Sequence, residues 1–517
     1  MANKSLFKSI VGKLIPQADG RNEEGAAAYK FTPEQALAQY AMTGCMNMTF
    51  YASAVEQLSA VLNFANQVAP EFIARLAIYA RQKGYMKDLP AFLCAVLSLK
   101  NPKLLQQIFP RVIDNGKMLR NFVQIMRSGA VGRKSLGSLP KKLVLEWLDK
   151  HSEEALFRDS VGNSPSLADV VKMVHPKPST PEREAFYGYL INKEHKADLL
   201  PGIVVDFEAY KAKSTSKVPA VPFQMLTSLE LGKDEWREIA RNAAWQMTRM
   251  NLNTFLRHGV FEDHELVKLV AKRLADPTEV RKARAFPYQL LMAYRMANEG
   301  VPGQIREALQ DAMEVAIENV PEFAGQVVIC PDVSGSMSSP VTGQRAGATT
   351  AVRCIDVAAL VAAAAMRRNP TATVFPFEQK VVSLTLNPRD SVMTNAEKLA
   401  SIGGGGTNCS APLTLLNEKR IKADVVVLVS DNESWVDAAH GRGTATMQEW
   451  GKFKASNPHA RLVCLDIAPY ATTQAIERAD ILNIGGFSDQ VFEVLGQFSN
   501  GTLNPNHFVG LIDGVEI

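Results

Sequence analysis

The chain has 517 residues, and single hydrophobic cores rarely grow beyond roughly 250–300 residues, so we expect more than one domain. Its composition, 46% hydrophobic and 21% charged, is typical of a globular protein, and no apolar run reaches the roughly 18 residues of a membrane span. The N-terminus lacks the apolar stretch of a signal peptide, so we expect a cytoplasmic protein. The six scattered cysteines form no C-x-x-C pair, which argues against zinc and against a disulfide framework.

The net charge of +4 is unevenly distributed along the chain. Residues 321–517 carry 15 basic and 19 acidic residues, whereas residues 101–150 alone carry ten basic and three acidic residues. A local basic excess of this size is typical of a protein that binds a polyanion. A solvated helix face is the alternative explanation of such a charge run.

From about residue 30 to residue 320, helical patterns follow one another. Thr32-Pro33-Glu34-Gln35 predicts the start of a helix, with an N-cap, a proline in the first turn and a capping-box glutamine. Thr180-Pro181 predicts the start of another helix in the same way. A set of apolar residues at helical spacing predicts one buried face: Trp236, Ile239, Ala243, Met247 and Met250. We expect a stacked array of helices, although no clean repeat period is visible.

Beyond residue 320, apolar strand-like runs alternate with helical ones. Strands are predicted at 326–330, 372–377, 381–386, 424–430 and 460–467, and a helix at 351–366. Continuous apolar runs such as VVVLV suit strands that are buried on both faces of a parallel sheet. The alternation predicts a doubly wound α/β domain, in which ligands bind beyond the carboxyl ends of the strands.

Five oxygen-bearing residues lie at or near such strand ends. Asp332, Ser334 and Ser336 form a D-x-S-x-S loop, Thr407 follows a run of four glycines, and Asp431 ends the strand VVVLVS. Hard divalent cations prefer oxygen ligands from several loops. A site that has only a few charged ligands and retains water molecules on the ion favours Mg²⁺ over Ca²⁺. The pattern resembles the metal-ion-dependent adhesion site of von Willebrand factor A domains, in which an open metal position accepts an acidic group of a partner.

Other sites fit this segment less well. Ser430-Asp431-Asn432 matches the S-D-N of penicillin-recognising enzymes, but no K-T-G follows it. The glycines at 403–406 lack the following G-K-[ST] of a P-loop, and Ser334 does not lie in G-x-S-x-G. A degenerate site that binds no metal is the remaining alternative.

Several stretches of the helical region, in their order, extend the resemblance to the whole chain. They are AVGRKSLGSLPKKLVLEWL at 130–148, SLADVVKMVHPKP at 166–178, VPFQML at 221–226, MTRMNL at 247–252 and ARAFPY at 283–288. The chain resembles the Ro family, which joins an N-terminal TROVE domain to a von Willebrand A domain. We therefore predict an N-terminal segment at 1–29, a TROVE domain at 30–320 and a von Willebrand A-like domain at 321–517.

The resemblance implies a monomeric ring of HEAT-like helical repeats that the von Willebrand A domain closes. It also implies binding of small structured noncoding RNAs, called Y RNAs, on the outer basic surface, and of misfolded RNAs whose single-stranded 3′ ends enter the central hole. Bacterial members are linked to RNA quality control, with the 3′ exoribonuclease polynucleotide phosphorylase as a partner, and to RNA-repair proteins.

Candidate RNA-binding residues come from the basic window and from the matched stretches. They are Arg133, Lys134, Lys141, Lys142, Arg158, His175, Lys177, Arg249 and Arg284. His175 could equally be a helix C-cap, and Trp245, which lies between Arg241 and Arg249 at helical spacing, is either a stacking platform or a core residue. The next basic position of the family falls near Gly162, which is a departure from the family pattern.

The sequence thus predicts an RNA-binding scaffold of the Ro type and not an enzyme. One alternative is a protein-interaction scaffold whose metal site binds an acidic residue of a partner. A metal-dependent hydrolase using Asp332 and Asp431 is a further alternative, but such enzymes usually bring together more carboxylates or a histidine, and the nearest histidine in sequence is His440.

Overall fold

The structure is a computed structural model of the 517-residue chain. It describes residues 15–44, 46–215, 217–283, 287–318, 320, 322–323, 325–344, 352–435, 443–486, 488–503 and 506–517. Among the described residues, no helix combines the length and the apolar character needed to cross a bilayer. Cys45 lies outside these residues, and the described cysteines are buried and form no disulfide.

The first part of the described chain is helical after two short strands, β1 (Gly20–Arg21) and β2 (Ala27–Lys30). The helices are α1 (Pro33–Thr43), α2 (Ala54–Gln67), α3 (Pro70–Gln82), α4 (Asp88–Lys100), α5 (Pro102–Val112), α6 (Gly116–Ser128), α7 (Ser138–Lys150), α8 (Glu153–Asp159), α9 (Leu167–Val174), α10 (Pro181–Leu190), α11 (Gly202–Lys211), α12 (Phe223–Leu226), α13 (Lys233–Asn242), α14 (Trp245–Met250), α15 (Leu252–Arg257), α16 (His264–Ala275), α17 (Pro277–Ala283), α18 (Pro287–Met296) and α19 (Gly303–Ala316).

Local sequence signals explain where several of these helices begin. Thr32 caps α1 and forms the predicted capping box with Gln35, and Ser166 forms a second one with Asp169 at the start of α9. Thr180 accepts a hydrogen bond from the Arg183 N–H at the start of α10. Each cap satisfies backbone donors that have no partner within the helix.

Helices that are close in sequence pack against one another, as in α3, α4 and α5, or α4 and α6. Their apolar faces form one continuous core with the α/β domain.

The second part is an α/β domain with a five-stranded parallel sheet in the order β4-β3-β5-β6-β8. Its strands are β3 (Val327–Pro331), β4 (Thr373–Val374), β5 (Val425–Ser430), β6 (Arg461–Asp466) and β8 (Ile481–Gly485), and β7 (Thr472–Thr473) lies outside this sheet. Its helices are α20 (Cys354–Arg368), α21 (Val392–Ala400), α22 (Ala411–Glu418), α23 (Ala445–Ser456), α24 (Asp489–Ser499) and α25 (His507–Asp513). Residues of β3, β5 and β8 are buried throughout, as expected for strands covered on both faces.

The structure corrects three details of the predicted elements. No strand forms at 381–386, where only Val381 makes an isolated bridge, to Phe377, and β8 takes the edge position that the sequence pattern did not predict. The predicted buried face from Trp236 to Met250 is also wrong in part. The chain leaves the helix at Ala243 and Ala244 between α13 and α14, and Met250 is 68% exposed.

Both ends of the helical region contact the α/β domain. On one side, β2 pairs with β7, Tyr29 opposite Thr473, and α1 packs on β8. On the other side, α18 packs on α20, and α19 packs on α21. The C-terminal helix α25 returns to α3, and Arg111 donates a hydrogen bond to the Glu516 carbonyl nearby. The helical array therefore leaves the α/β domain and returns to it, which closes a ring.

Candidate metal centre and basic surface

The D-x-S-x-S loop begins where β3 ends. The Asp332 N–H donates to the Val429 carbonyl of β5, and the Gly335 N–H donates to the Gly405 carbonyl, which brings the glycine run against the loop. Gly405 has a φ of +75°, and a Cβ there would meet the Glu378 side chain, so this position of the glycine run favours glycine. The parallel sheet thus brings together, at one edge, segments that are far apart in sequence.

All five predicted metal residues meet at this edge. The Thr407 hydroxyl donates to Ser334 Oγ at 2.9 Å, and Ser334 Oγ lies 3.3 Å from Ser336 Oγ. Asp332 Oδ1 accepts from the Ser334 N–H at 2.8 Å, and Asp431 interacts with the Ser336 side chain. These side chains are buried, with exposed fractions of 6% or less. The predicted donor set is therefore one contiguous cluster of hydroxyl and carboxylate oxygens.

The cluster concentrates negative charge in a buried place. Burial raises the pKa of Asp332, and burial together with the charge of Asp332 raises the pKa of Asp431. Burial, followed by the charge of Asp431, raises the pKa of Glu433 to about 9. No described Lys, Arg or His forms an ion pair with these carboxyl groups. A cation bound beside such buried carboxyl groups would stabilise their charged forms and lower their pKa values.

These residues fit a hard divalent cation. Ser334, Ser336 and Thr407 offer neutral hydroxyl oxygens, and Asp332 and Asp431 offer carboxylates, either directly or through water. Within the described ranges, no group of three or more His, Cys, Asp and Glu is placed to hold a metal, so hydroxyl ligands would be essential. The donor set agrees with a small, hard ion that retains water.

Two features of the cluster were not predicted from the sequence. The Ser430 hydroxyl donates to Asp332 Oδ2 at 2.6 Å and orients that carboxylate, and its position next to Asp431 at the strand end is the signal that could have identified it. The N-terminal segment also reaches the site, because the Glu23 N–H donates to Glu433 Oε2 and Asn22 donates to the Ser434 carbonyl. No sequence signal links residues so far apart.

The candidate RNA-binding residues of the basic window lie in and before α7. Lys134 and Lys142 are exposed, whereas Arg133 and Lys141 are half-buried, and Arg133 covers Gly137. Helix α7 packs beside α9, after which His175 and Lys177 are exposed, and Arg158 is exposed in α8. His175 is also the C-cap of α9, in the left-handed conformation with φ +49°, so the capping alternative holds whatever else this side chain does.

The remaining candidates lie in the later helices. Arg249 donates to the Gln289 carbonyl at 2.8 Å, and burial lowers its pKa to about 10. Trp245 is 2% exposed and donates to the Leu274 carbonyl, so it is a core residue and not a stacking platform. Arg284 and His440 lie outside the described residues.

Gly162, where the family pattern has a basic residue, lies in a loop that excludes a side chain. Its φ is +111°, and a Cβ there would lie 2.7 Å from a guanidinium nitrogen of Arg120. Arg120 is buried and donates to the Asp159 carbonyl, which holds this arrangement in place. At this position the chain therefore favours glycine and carries no charge.

Fold and site define the class of the protein as a helical ring closed by a von Willebrand A domain. Family models agree with this class, since the model for the Ro60 vWA domain matches residues 326–499 and the TROVE domain model matches residues 223–315. The chain belongs to the Ro family, as its motifs predicted.

Individual relatives extend the similarity to nearly the full length. The chain is 23% identical to an RNA-binding protein RO60 of Deinococcus radiodurans, over 96% of this chain and 99% of the relative. It is 25% identical to an RNA-binding protein RO60 of Caenorhabditis elegans, over 47% of this chain and 38% of that relative. The crystal structure of the Deinococcus radiodurans Ro protein superposes with a TM-score of 0.62 and 20% identity, covering 91% of this chain and all of that chain.

The relatives also bear on catalysis. Their names describe binding proteins and no enzyme, and the two matched domain families are non-catalytic. The prediction that this chain is not an enzyme is thereby confirmed.

Proposed function

We propose that this protein is an RNA-binding scaffold of the Ro type. The observation that carries the proposal is that the basic residues at 101–150 form few ion pairs with described residues. Lys142 lies 3.6 Å from Glu146, and none of the other basic residues in this window forms an ion pair with a described residue. Those of them that are exposed, such as Lys134, are available to phosphates, whereas Arg120 is buried. The two relatives named as RNA-binding proteins support the same function.

Two kinds of RNA fit the proposal. A small structured, Y-like noncoding RNA would bind the outer basic surface around α7 and α9, where Arg158, His175 and Lys177 are exposed. Misfolded RNAs would present a single-stranded 3′ end to the inside of the ring. The corresponding role is noncoding RNA quality control in the cytoplasm, with a 3′ exoribonuclease such as polynucleotide phosphorylase, or RNA-repair proteins, as partners.

The salt dependence of RNA binding tests this proposal. We expect Lys141→Ala/Lys142→Ala to weaken binding of a labelled RNA hairpin and to reduce the slope of log K against log salt by about 0.9 for each phosphate that the variant no longer neutralises. Lys419→Ala/Lys422→Ala, which removes two exposed lysines of the acidic α/β domain, is the matched control. Fluorescence anisotropy at four salt concentrations measures both quantities. Wild-type protein that binds the hairpin only weakly, with a shallow slope, would contradict the proposal.

The metal centre supports a second role within the same protein. We infer that Asp332, Ser334, Ser336, Thr407 and Asp431 hold Mg²⁺ and that the ion binds an acidic residue of a protein partner. The buried hydroxyl cluster and the raised pKa values of its carboxyl groups favour this role. A pull-down with Mg²⁺ or with EDTA tests it, because partners of this site should be released by EDTA and should not bind Asp332→Asn.

A further inference from the structure

A short hairpin near the start of the described chain lies beside the candidate metal centre. Strands β1 and β2 pair in antiparallel fashion, and the turn between them closes with a hydrogen bond from the Gly25 N–H to the Asn22 carbonyl at 2.9 Å. Gly25 has a φ of +78°, a conformation that hairpin turns commonly assign to glycine. The two residues at the tip of the turn are therefore Glu23 and Glu24.

Two hydrogen bonds hold this turn against the α/β domain. The buried amide of Asn22 donates to the Ser434 carbonyl at 2.7 Å, and the Glu23 N–H donates to Glu433 Oε2 at 2.8 Å. Glu433 and Ser434 follow Asp431 closely in sequence. The tip of the hairpin is therefore fixed within a few residues of the metal centre.

Tyr51 connects the tip of the hairpin to a residue of the metal centre. Its hydroxyl interacts with the Glu24 carboxylate and with the Ser336 side chain. Edge contacts with Phe50 and Tyr470, at centroid distances of 4.7 and 5.8 Å, hold the ring of Tyr51 in place. The Glu24 carboxylate is thus separated by a single hydroxyl group from a proposed ligand of the ion.

Glu24 adds negative charge to a place that already holds several carboxyl groups. Its side chain is exposed and forms no ion pair with a described residue, and Arg21 of the same hairpin donates to the Gly25 carbonyl instead. Glu433 is fully buried, and its Oε1 atom has no hydrogen-bond partner among the described residues. Carboxylates gathered in this way repel one another, and a cation bound beside them would replace the repulsion by attraction.

The metal centre has room for a further oxygen ligand. Mg²⁺ takes about six oxygen ligands in nearly octahedral geometry. If each of the five candidate metal residues binds the ion through one oxygen, at least one coordination position remains for water or for another carboxylate.

We propose that Glu24 is a metal ligand that the chain supplies to itself. Its carboxylate takes the remaining coordination position, and Tyr51 is a positioning residue that holds the carboxylate there. The proposal rests on the metal binding proposed above and adds a consequence to it. Because the site is closed from within the chain, an acidic residue of a partner must displace Glu24 before it can bind the ion.

The number of water molecules on the ion tests this proposal. Mn²⁺ is the probe, because it prefers the same oxygen ligands as Mg²⁺ and its bound waters relax the protons of the solvent. We expect Mn²⁺ on Glu24→Ala to carry about one water more than Mn²⁺ on the wild type, measured as faster water-proton relaxation for each bound ion. Tyr51→Phe, which keeps the ring, should give a smaller increase.

Glu23→Ala is the matched control. It removes the same charge from the same turn, but the charge that acts on Glu23 is that of Glu56, and the contact with Tyr51 belongs to Glu24. The relaxation for each bound Mn²⁺ should therefore equal that of the wild type. Millimolar acetate should return the relaxation of Glu24→Ala toward the wild-type value, because a free carboxylate then enters the position that Glu24 has left.

Three results would overturn the proposal. Equal relaxation by wild type and Glu24→Ala, each with Mn²⁺ bound, would show that Glu24 is not a ligand and would leave the proposed metal centre standing. An equal loss of Mn²⁺ affinity in Glu24→Ala and Glu23→Ala, with unchanged relaxation for each bound ion, would reduce the role of Glu24 to its charge. Mn²⁺ binding that is the same in wild type and Asp332→Asn, or absent from both, would refute the metal centre itself. Thermal melting of each variant confirms that it is folded.

Discussion

At the scale of single residues, the candidate metal centre combines buried carboxyl groups with hydroxyl oxygens. Asp332 accepts from the Ser334 N–H and from the Ser430 hydroxyl, so its two oxygens are oriented before any ion binds. Because these ligands are already ordered, binding of an ion would cost little conformational entropy. It also makes the site testable through stability, because a ligand that binds only the folded state stabilises it.

We predict that Mg²⁺ raises the melting temperature of the wild-type protein and not that of Asp332→Asn. At a concentration about one hundred times the dissociation constant, binding to the folded state contributes about 2.7 kcal/mol. Differential scanning fluorimetry with and without Mg²⁺ measures the difference. Asp390→Asn, at an exposed pair with Lys398, is the control that should keep the response. A Mg²⁺ response of equal size in Asp332→Asn would place the ion elsewhere.

Gly162 supports a second prediction at this scale. Gly162→Ala forces a Cβ into the left-handed region and against Arg120, so the free energy of unfolding should fall by about 1–2 kcal/mol. Gly303→Ala, at the start of α19 with open space around its Cβ and an ordinary φ, should be neutral or slightly stabilising. Urea unfolding compares the two variants. A Gly162→Ala protein as stable as wild type would show that the loop does not require glycine.

The clustering of the five candidate metal residues could be predicted from the sequence because their signals are local. A carboxylate or hydroxyl directly after an apolar run lies at the end of a strand, and parallel strand ends meet at one edge. Ser430 carries the same signal, since it is the last residue of its strand and its hydroxyl reaches Asp332. Trp245 shows the limit of such arguments, since helical spacing does not tell whether a ring faces the core or a ligand, and the structure buries it.

At the scale of elements, the contact between α18 and α20 depends on one buried carboxylate. Asp356 is 1% exposed on its side chain and lies 2.5 Å from Arg295 of α18 and 2.7 Å from Arg353, which precedes α20. Although burial opposes the charged form, hydrogen bonds and charge from Arg353, with the charge of Arg295, hold the pKa of Asp356 below its usual range. One of its two cationic partners therefore comes from the helical region.

We predict that Arg295→Met lowers the free energy of unfolding by about 1–3 kcal/mol, because removing one partner leaves a buried charge less compensated. Arg281→Met, at the exposed pair with Glu318, should cost less than about 1 kcal/mol. Since the pKa of Asp356 is lowered on folding, its stabilising contribution is present above about pH 4 and disappears as pH falls through the folded-state pKa. The deficit of Arg295→Met should therefore shrink toward about pH 3 in urea titrations. A deficit no larger than that of Arg281→Met would contradict this role of Asp356.

Elements with strong terminal signals were predicted best. The caps of α1 and α10 and the buried strands β3, β5 and β6 agree with their sequence patterns. The run at 381–386 has the composition of a strand, but only Val381 forms a bridge, to Phe377, and the run remains outside the sheet. The edge strand β8 was missed because it contains an asparagine and two isoleucines in a short stretch before two glycines, without the length of a clear apolar run.

At the scale of the whole molecule, the ring is closed by contacts that no local pattern reveals. Tyr29 pairs with Thr473, and Glu23 reaches Glu433 beside the metal centre. The order of the two domains follows from the sequence patterns on either side of residue 320, whereas the residues that join the domains lie far apart along the chain. Physical reasoning on a single sequence predicts elements and strand ends, and long-range closure requires the structure.

The helical region and the α/β domain also differ in charge. The basic residues are concentrated in the helical region around α6, α7 and α9, and the α/β domain is acidic around its metal centre. We therefore expect RNA to bind the helical region, while the α/β domain closes the ring and contacts proteins.

The most direct test of this account is fluorescence anisotropy with a blunt RNA duplex and with the same duplex carrying a single-stranded 3′ tail. The account predicts tighter binding of the tailed RNA and a steep decrease of affinity with salt, with no requirement for Mg²⁺ at the metal centre, so that Asp332→Asn retains the preference. Equal, weak binding of both RNAs at physiological salt would contradict the account.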